Sequence, residues 1–142
     1  MRILFFLSIV LLVTSCTKKE DQNNIPEYIN ISFAPTDQDT LMAQGTFSGF
    51  NLRSASGNLK VYKDANRQVL RFENFKCENG PDLKVYLSQD SSLTNFIIIG
   101  DLLAASGNFN YTFSVTIPIS SYRYAIVKST QLNSTFAFAE AF

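Results

Sequence analysis

The side chains in this sequence best suited to covalent or redox chemistry are two thiols, Cys16 and Cys77, the second set in the turn Phe75-Lys76-Cys77-Glu78-Asn79-Gly80-Pro81-Asp82. A thiolate can attack an electrophile, ligate a metal or pair into a disulfide. The neighbours of Cys77 oppose each other: Lys76 favours the thiolate and Glu78 disfavours it. No net activation follows. Glu78 and Asp82 are carboxylates that could act as ligands or proton-transfer groups. Glycine's access to positive φ, proline's fixed φ and the reach of the Asp82 side chain to nearby amides equally make a rigid, capped turn that launches a strand. The chain has no histidine. Ser-His-Asp and Cys-His nucleophile systems, His-ligated zinc, bis-His haem and blue-copper ligation are therefore closed to this chain alone. A haem held here would need Met42, Cys77, a tyrosine or a lysine as its ligand. There is no Gly-rich phosphate loop entering a helix and no Cys-x-x-Cys pair, and no spacing of Glu78, Asp82, Asp90 and Asp101 argues for calcium. No acid–base pair or nucleophile stands out, so an enzyme is not expected.

Cys16 has a different fate. It closes Leu12-Val13-Thr14-Ser15-Cys16 after the positive Arg2 and an apolar run from Ile3. Residues 1–15 read as a lipoprotein signal peptide ending in a lipobox, too short to cross a bilayer as a stable helix. In a lipobox the thiol receives a diacylglyceryl group, the chain is cut before the cysteine, and the new amino terminus is acylated. Two or three acyl chains, at ~0.8 kcal/mol per buried methylene, hold a protein on a membrane where one chain does not. The alternative is an ordinary secretory signal with an incidental cysteine. Lipidation leaves Cys77 as the only free thiol of the mature chain, so no intrachain disulfide can form. Loss of Arg2 leaves eleven basic residues against twelve acidic ones. A chain this close to neutral is not expected to bind nucleic acid.

Residues 16–39 are rich in Lys, Glu, Asp, Asn and Gln, carry Pro26 and Pro35, and read as a tether. Within it Lys18-Lys19-Glu20-Asp21 resembles the Lys-then-acidic export signal of Bacteroidetes surface lipoproteins, or simply opens a solvated linker. Ile29, Ile31 and Phe33 alternate and could add an edge strand. The expected location is a bacterial outer membrane, with the lipid-anchored domain facing the periplasm or the cell surface.

From residue 40 to 142 the apolar period is two. Leu59 and Val61 alternate with Lys60 and Tyr62, Leu70 and Phe72 with Arg71 and Glu73, and Leu83, Val85 and Leu87 with Lys84, Tyr86 and Ser88. Phe109, Tyr111 and Phe113, then Tyr122, Tyr124 and Ile126, then Phe136 and Phe138, continue the pattern. Turns are expected at Ser56-Gly57-Asn58, Asp64-Ala65-Asn66, Asn79-Gly80-Pro81, Gly100-Asp101 and Ser106-Gly107-Asn108. The reading is one all-β domain, an antiparallel β-sandwich of about seven to nine short strands. Residues 102–105 could form a short helical turn. Phe96-Ile97-Ile98-Ile99 is apolar on both faces and is expected in the middle of a sheet.

Six segments in order carry a family resemblance: Gly45-Thr46-Phe47, Ser56-Gly57-Asn58-Leu59, residues 70–75, residues 80–88 beginning Gly80-Pro81-Asp82-Leu83, Ser106-Gly107-Asn108 with Tyr111, and residues 133–139. Together they resemble the DM-thirteen domain. That small β-sandwich is described as an electron-transfer domain, found beside DOMON domains in animal Skeletor-like proteins and alone in bacterial lipoproteins. The resemblance implies a redox role resting on a cysteine, often preceded by tryptophan, late in the domain. Many members also carry a histidine just ahead of the Ser-Gly turn. Here Lys128-Ser129 and Arg53 stand at those places. A serine hydroxyl cannot cycle between thiol and disulfide and is a poor haem ligand, so the role does not carry over to Ser129. Cys77 remains the candidate redox residue, away from the family position, with a small buried hydrophobe as its other reading. Haem is implied by the resemblance alone. The sequence itself requires no cofactor and no metal.

The expected function is that of a membrane-anchored, non-catalytic binding or structural module with an unknown protein or glycan partner. Tyr62, Tyr86, Tyr111, Tyr122 and Tyr124 supply amphipathic rings suited to sugars or protein surfaces, or they complete a core edge. The alternative is electron transfer through Cys77 or a bound prosthetic group. Cell fractionation checks the anchor: Cys16→Ala is expected to move the protein from the membrane to the soluble fraction, and continued membrane association would remove the lipobox reading.

Overall fold

The computed structural model describes residues 34–141, so the signal segment, Cys16 and the alternation of Ile29, Ile31 and Phe33 lie outside the described residues. Alternating apolar positions fold that stretch into nine antiparallel strands: β1 (Thr40–Thr46), β2 (Ser48–Gly49), β3 (Ala55–Lys63), β4 (Arg67–Cys77), β5 (Leu83–Ser88), β6 (Phe96–Asp101), β7 (Ser106–Ser114), β8 (Tyr124–Ser129) and β9 (Ser134–Glu140). They form a four-stranded sheet in the order β1-β3-β4-β7 and a five-stranded sheet in the order β2-β9-β8-β5-β6. The two sheets face each other as a sandwich. The expected turn at Asp64 is present: its carboxylate accepts the amides of Asn66 and Arg67 at 2.7 and 2.9 Å and pairs with the Arg67 guanidinium at 2.8 Å. Those amide bonds hold the Asp64 carboxyl below its ordinary pKa.

The inner faces are unequal in size. The four-stranded sheet and the crossing at Phe47 supply large rings. Phe72 is fully buried and has Phe109 stacked at 4.7 Å, with Phe47, Phe75 and Tyr111 at 4.8, 5.1 and 5.7 Å between centroids. Against them β8 and β9 set Ala125, Val127, Ala137 and Ala139, followed by Ala141. Large against small lets the two layers interdigitate at interior density. Gly45 allows β1 to pass closely over the end of β9, since a Cβ there would collide with the Glu140 carbonyl.

The glycine signals at Ser56-Gly57-Asn58, Gly100-Asp101 and Ser106-Gly107-Asn108 are not turns. They lie inside strands, where Gly57, Gly100 and Gly107 take φ of 114, 153 and 116°, and the pairing shifts at Ser56/Asn58, Phe72/Phe75 and Val85/Tyr86. At the first two shifts the extra residue lies in β4, around Asn74 with its φ of 49°, opposite Gly57 on one side and Asn108 on the other, and at the third it is Ile99 beside Gly100; these are bulges, so the strands run longer than the turn signals imply. A further bulge corrects the faces of the last hairpin. Val127 pairs with Ala137 and Lys128 with Thr135, leaving Phe136 as the extra residue. Phe136 and Ala137 therefore both join the core, and Phe138 passes to the outer face. In β8 the core residues are Ala125 and Val127, so Tyr124 and Ile126 face outward rather than inward.

Two more expectations fail. The run Phe96-Ile97-Ile98-Ile99 lies in β6, at the edge of its sheet rather than the middle. Residues 102–105 pack against the core without helix, and the one helical turn among the described residues is the 3-10 segment Ile119–Ser121. Because Phe72 touches four rings at once, Phe72→Ala is expected to cost about 3–5 kcal/mol, read as a lower urea midpoint with an unchanged slope.

Candidate functional site

The candidate residues named from sequence collect at one end of the sandwich, around the loop that joins the two sheets between β4 and β5. Cys77 ends β4 opposite Ala55, and its amide donates to the Ala105 carbonyl at 2.9 Å. Only 8% of the residue is exposed. Burial first, and the Glu78 charge second, push its thiol up to about 11. At neutral pH the thiolate fraction is ~10⁻⁴, which makes the sulfur a small buried hydrophobe rather than a nucleophile. Glu78 is committed elsewhere: it accepts the Ser54 amide at 2.7 Å and lies 3.4 Å from the Arg53 guanidinium. Arg53, at the place where the family resemblance implies a histidine, lays its guanidinium 3.6 Å from the centroid of the Phe136 ring.

Gly80, Pro81 and Asp82 form the rigid launch of β5. A Cβ on Gly80 would collide with the Phe136 ring. Asp82 adopts a left-handed φ of 46°, its carbonyl accepts the Thr130 amide at 3.1 Å, and its carboxylate sits 3.4 Å from Lys84 Nζ. No bond from the Asp82 carboxylate to a neighbouring amide is present, so its side chain does not cap the turn. Ser129, at the place of the missing cysteine, is fully buried. Its hydroxyl donates to the Pro81 carbonyl at 2.6 Å and accepts the Leu132 amide at 3.0 Å. Cys77 thus opens the connecting loop and Ser129 anchors its far end, and the hydroxyl has a structural task that needs no redox chemistry. Ser54, Ala55, Ser56, Lys76, Cys77, Glu78 and Asn79 line an open cleft of about 420 Å³. Among the described residues no group of three or more acidic or cysteine side chains is placed to hold a metal ion.

A second feature lies on the outer face of the five-stranded sheet. Phe138, Ile126, Tyr86 and Ile98 stand in register across β9, β8, β5 and β6. Their chain neighbours fill the core, so this row faces the other way. Phe96 meets Tyr86 edge-on at 5.4 Å, and Phe50, just past β2, meets Phe138 edge-on at 6.3 Å. Asn51 and Leu52, both left-handed, make the tight turn that returns the chain after Phe50, closed by the Arg53 amide donating to the Phe50 carbonyl at 3.2 Å. Phe50, Ser91, Tyr124, Ile126, Thr135 and Phe138 line a groove of about 140 Å³. The other sheet's outer face carries ion pairs beside a small apolar pair: Lys60 and Arg71 each reach Glu73 at 2.7 Å, Arg71 bonds Asn110 at 3.0 Å, and Tyr62 packs with Val69.

Of the five tyrosines named from sequence, Tyr62, Tyr86 and Tyr111 are buried and Tyr122 packs against the core. The Tyr111 hydroxyl donates to the Asp101 carbonyl at 2.9 Å and accepts the Leu103 amide at 3.2 Å. Tyr124 alone of the five lines the groove. Sequence reasoning missed Phe50, Ile98 and Phe138 as residues of the outer face and Ile126 as the buried floor between them. The available signal was the two-faced apolarity of β6, which implies an outer face as apolar as the inner one.

The fold and this loop cluster define a small, two-sheet β-sandwich module with a sealed thiol at one end. A family profile described as Electron transfer DM13 matches residues 46–141, most of the chain. The chain belongs to that family. Comparison with curated proteins and with solved structures gives no match. Among the described residues no helix is long and apolar enough to cross a membrane. A thiol with its pKa near 11 gives a direct check: native protein is expected to show no fast reaction of Cys77 with a disulfide reagent at neutral pH. Alkylation should speed about tenfold per pH unit toward 11, and a fast titre at neutral pH would show an activated thiolate.

Proposed function

We propose that this member of the Electron transfer DM13 family works as a non-enzymatic binding module, held on a bacterial outer membrane by lipid on Cys16 and spaced from it by residues 16–39. The observation that carries the binding role is the apolar row of Phe138, Ile126, Tyr86 and Ile98 on the outer face of the five-stranded sheet. A sandwich needs apolar residues only on its inner faces. The middle of that row is already covered, with Tyr86 and Ile126 buried, and its accessible part is the edge where Phe50, 42% exposed, stands beside Phe138; an exposed apolar edge of this kind is one that a partner covers. The lipobox sequence supports the anchor, and the near-neutral charge agrees with a partner that is not a polyanion.

The second reading is electron transfer, favoured by the family and by the position of Cys77 on the 420 Å³ cleft. The donor set of that cleft does not suit a haem. It offers one thiol held in its protonated form, no histidine, and a carboxylate already engaged by Arg53 and Ser54. The binding reading is therefore preferred. Hydroxyl-radical footprinting tests it by comparing intact cells with purified protein. Tyr124, Phe138 and Phe50 are expected to be protected in the cell envelope and open in the purified chain, while equal labelling in both would remove the outer face as a contact surface.

A further inference from the structure

We propose that the groove between Phe50, Tyr124 and Phe138 is a subsite for one uncharged sugar ring of a glycan chain, an inference that rests on the binding reading above. Size comes first. A groove of about 140 Å³ holds roughly five waters at ~30 Å³ each, the space of a single six-membered ring and far less than a drug-sized ligand needs. Its walls are aromatic. Phe50 and Phe138 stand at 84° to each other with centroids 6.3 Å apart, so the groove offers one ring face and one ring edge. The C–H face of a pyranose is attracted to such a ring face, whose quadrupole is negative above the plane. Ile126, only 3% exposed, closes the floor.

The rim supplies the polar half of the recognition. Ser91, Thr135 and Tyr124, each carrying a hydroxyl, are among the lining residues. At that end Glu140 accepts from Arg123 at 2.8 Å, with the Tyr124 hydroxyl 3.4 Å from the same carboxylate oxygen. The two charges compensate each other, so the groove presents no net charge to an occupant. A uronate or sulfated sugar gains nothing there. A purely apolar peptide side chain would strip water from the hydroxyls without replacing their bonds. A neutral sugar satisfies both halves, with an apolar face for the rings and hydroxyls for the rim. The aromatic walls have few rotatable bonds, which keeps the ordering cost of binding low.

NMR shift mapping on the mature chain tests the assignment, with neutral gluco-, manno- and galacto-hexasaccharides as probes and polygalacturonate as the charged comparison. Expected shifts centre on Phe50, Tyr124 and Phe138 for at least one neutral probe. Phe50→Ala is expected to weaken it about tenfold without lowering Tm, and Phe50→Tyr to retain binding. The proposal is overturned if no neutral probe shifts those rings at up to about 10 mM, if polygalacturonate binds the groove more tightly, or if Phe50→Ala binds unchanged. The footprinting result separates the two levels. Envelope protection of the groove with no sugar bound removes the sugar and leaves a protein partner, whereas loss of protection removes the contact surface itself.

Discussion

The packing of large rings from one sheet against alanines from the other is the contact on which the rest of this molecule depends. Phe72 with Phe47, Phe75, Phe109 and Tyr111 on one side, and Ala125, Ala137, Ala139 and Ala141 on the other, set how closely the two sheets approach. Burying each large side chain contributes on the order of 1.5–3 kcal/mol. Among the described residues the one cysteine, Cys77, is free, so within them that burial has to offset most of the chain entropy. The same packing decides the chemistry at the loop end. Phe136 enters the core through a bulge, and Arg53 and Gly80 both close on its ring.

The consequence for function is a division between two surfaces. At the loop end every reactive group has been given a structural partner: Ser129 holds Pro81 and Leu132, Glu78 holds Ser54 and Arg53, and burial keeps the Cys77 thiol protonated. On the outer face of the five-stranded sheet the reverse holds, with apolar and aromatic side chains set in a row that the fold does not need for its own core. The Ser129 hydroxyl satisfies two buried backbone groups, the Pro81 carbonyl and the Leu132 amide, so the fold holds this position without a thiol.

Much of the fold was legible because period-two alternation reports which face is dry. Leu59, Val61, Leu70, Phe72, Val85, Leu87, Phe109, Tyr111 and Phe113 are all in the core as the alternation requires. Several of the errors share one cause. A bulge adds a residue and reverses the faces beyond it, and nothing in the alternation announces it. Gly57, Gly100 and Gly107 therefore read as turns, and Phe138 read as core. The candidate residues of the loop end were legible as local motifs, but their hydrogen bonds were not. The groove was illegible because it joins Phe50, just past a two-residue strand, to a face set by the bulge at Phe136.

The central claim is that this chain acts through a surface and not through its thiol. Protein-film voltammetry on natively purified mature protein addresses it most directly. The account predicts no reversible wave attributable to the chain, because a protonated, buried Cys77 has no partner thiol among the described residues with which to exchange electrons. A reversible wave in the wild-type protein that disappears in Cys77→Ser would contradict it and make Cys77 the centre of an electron-transfer module.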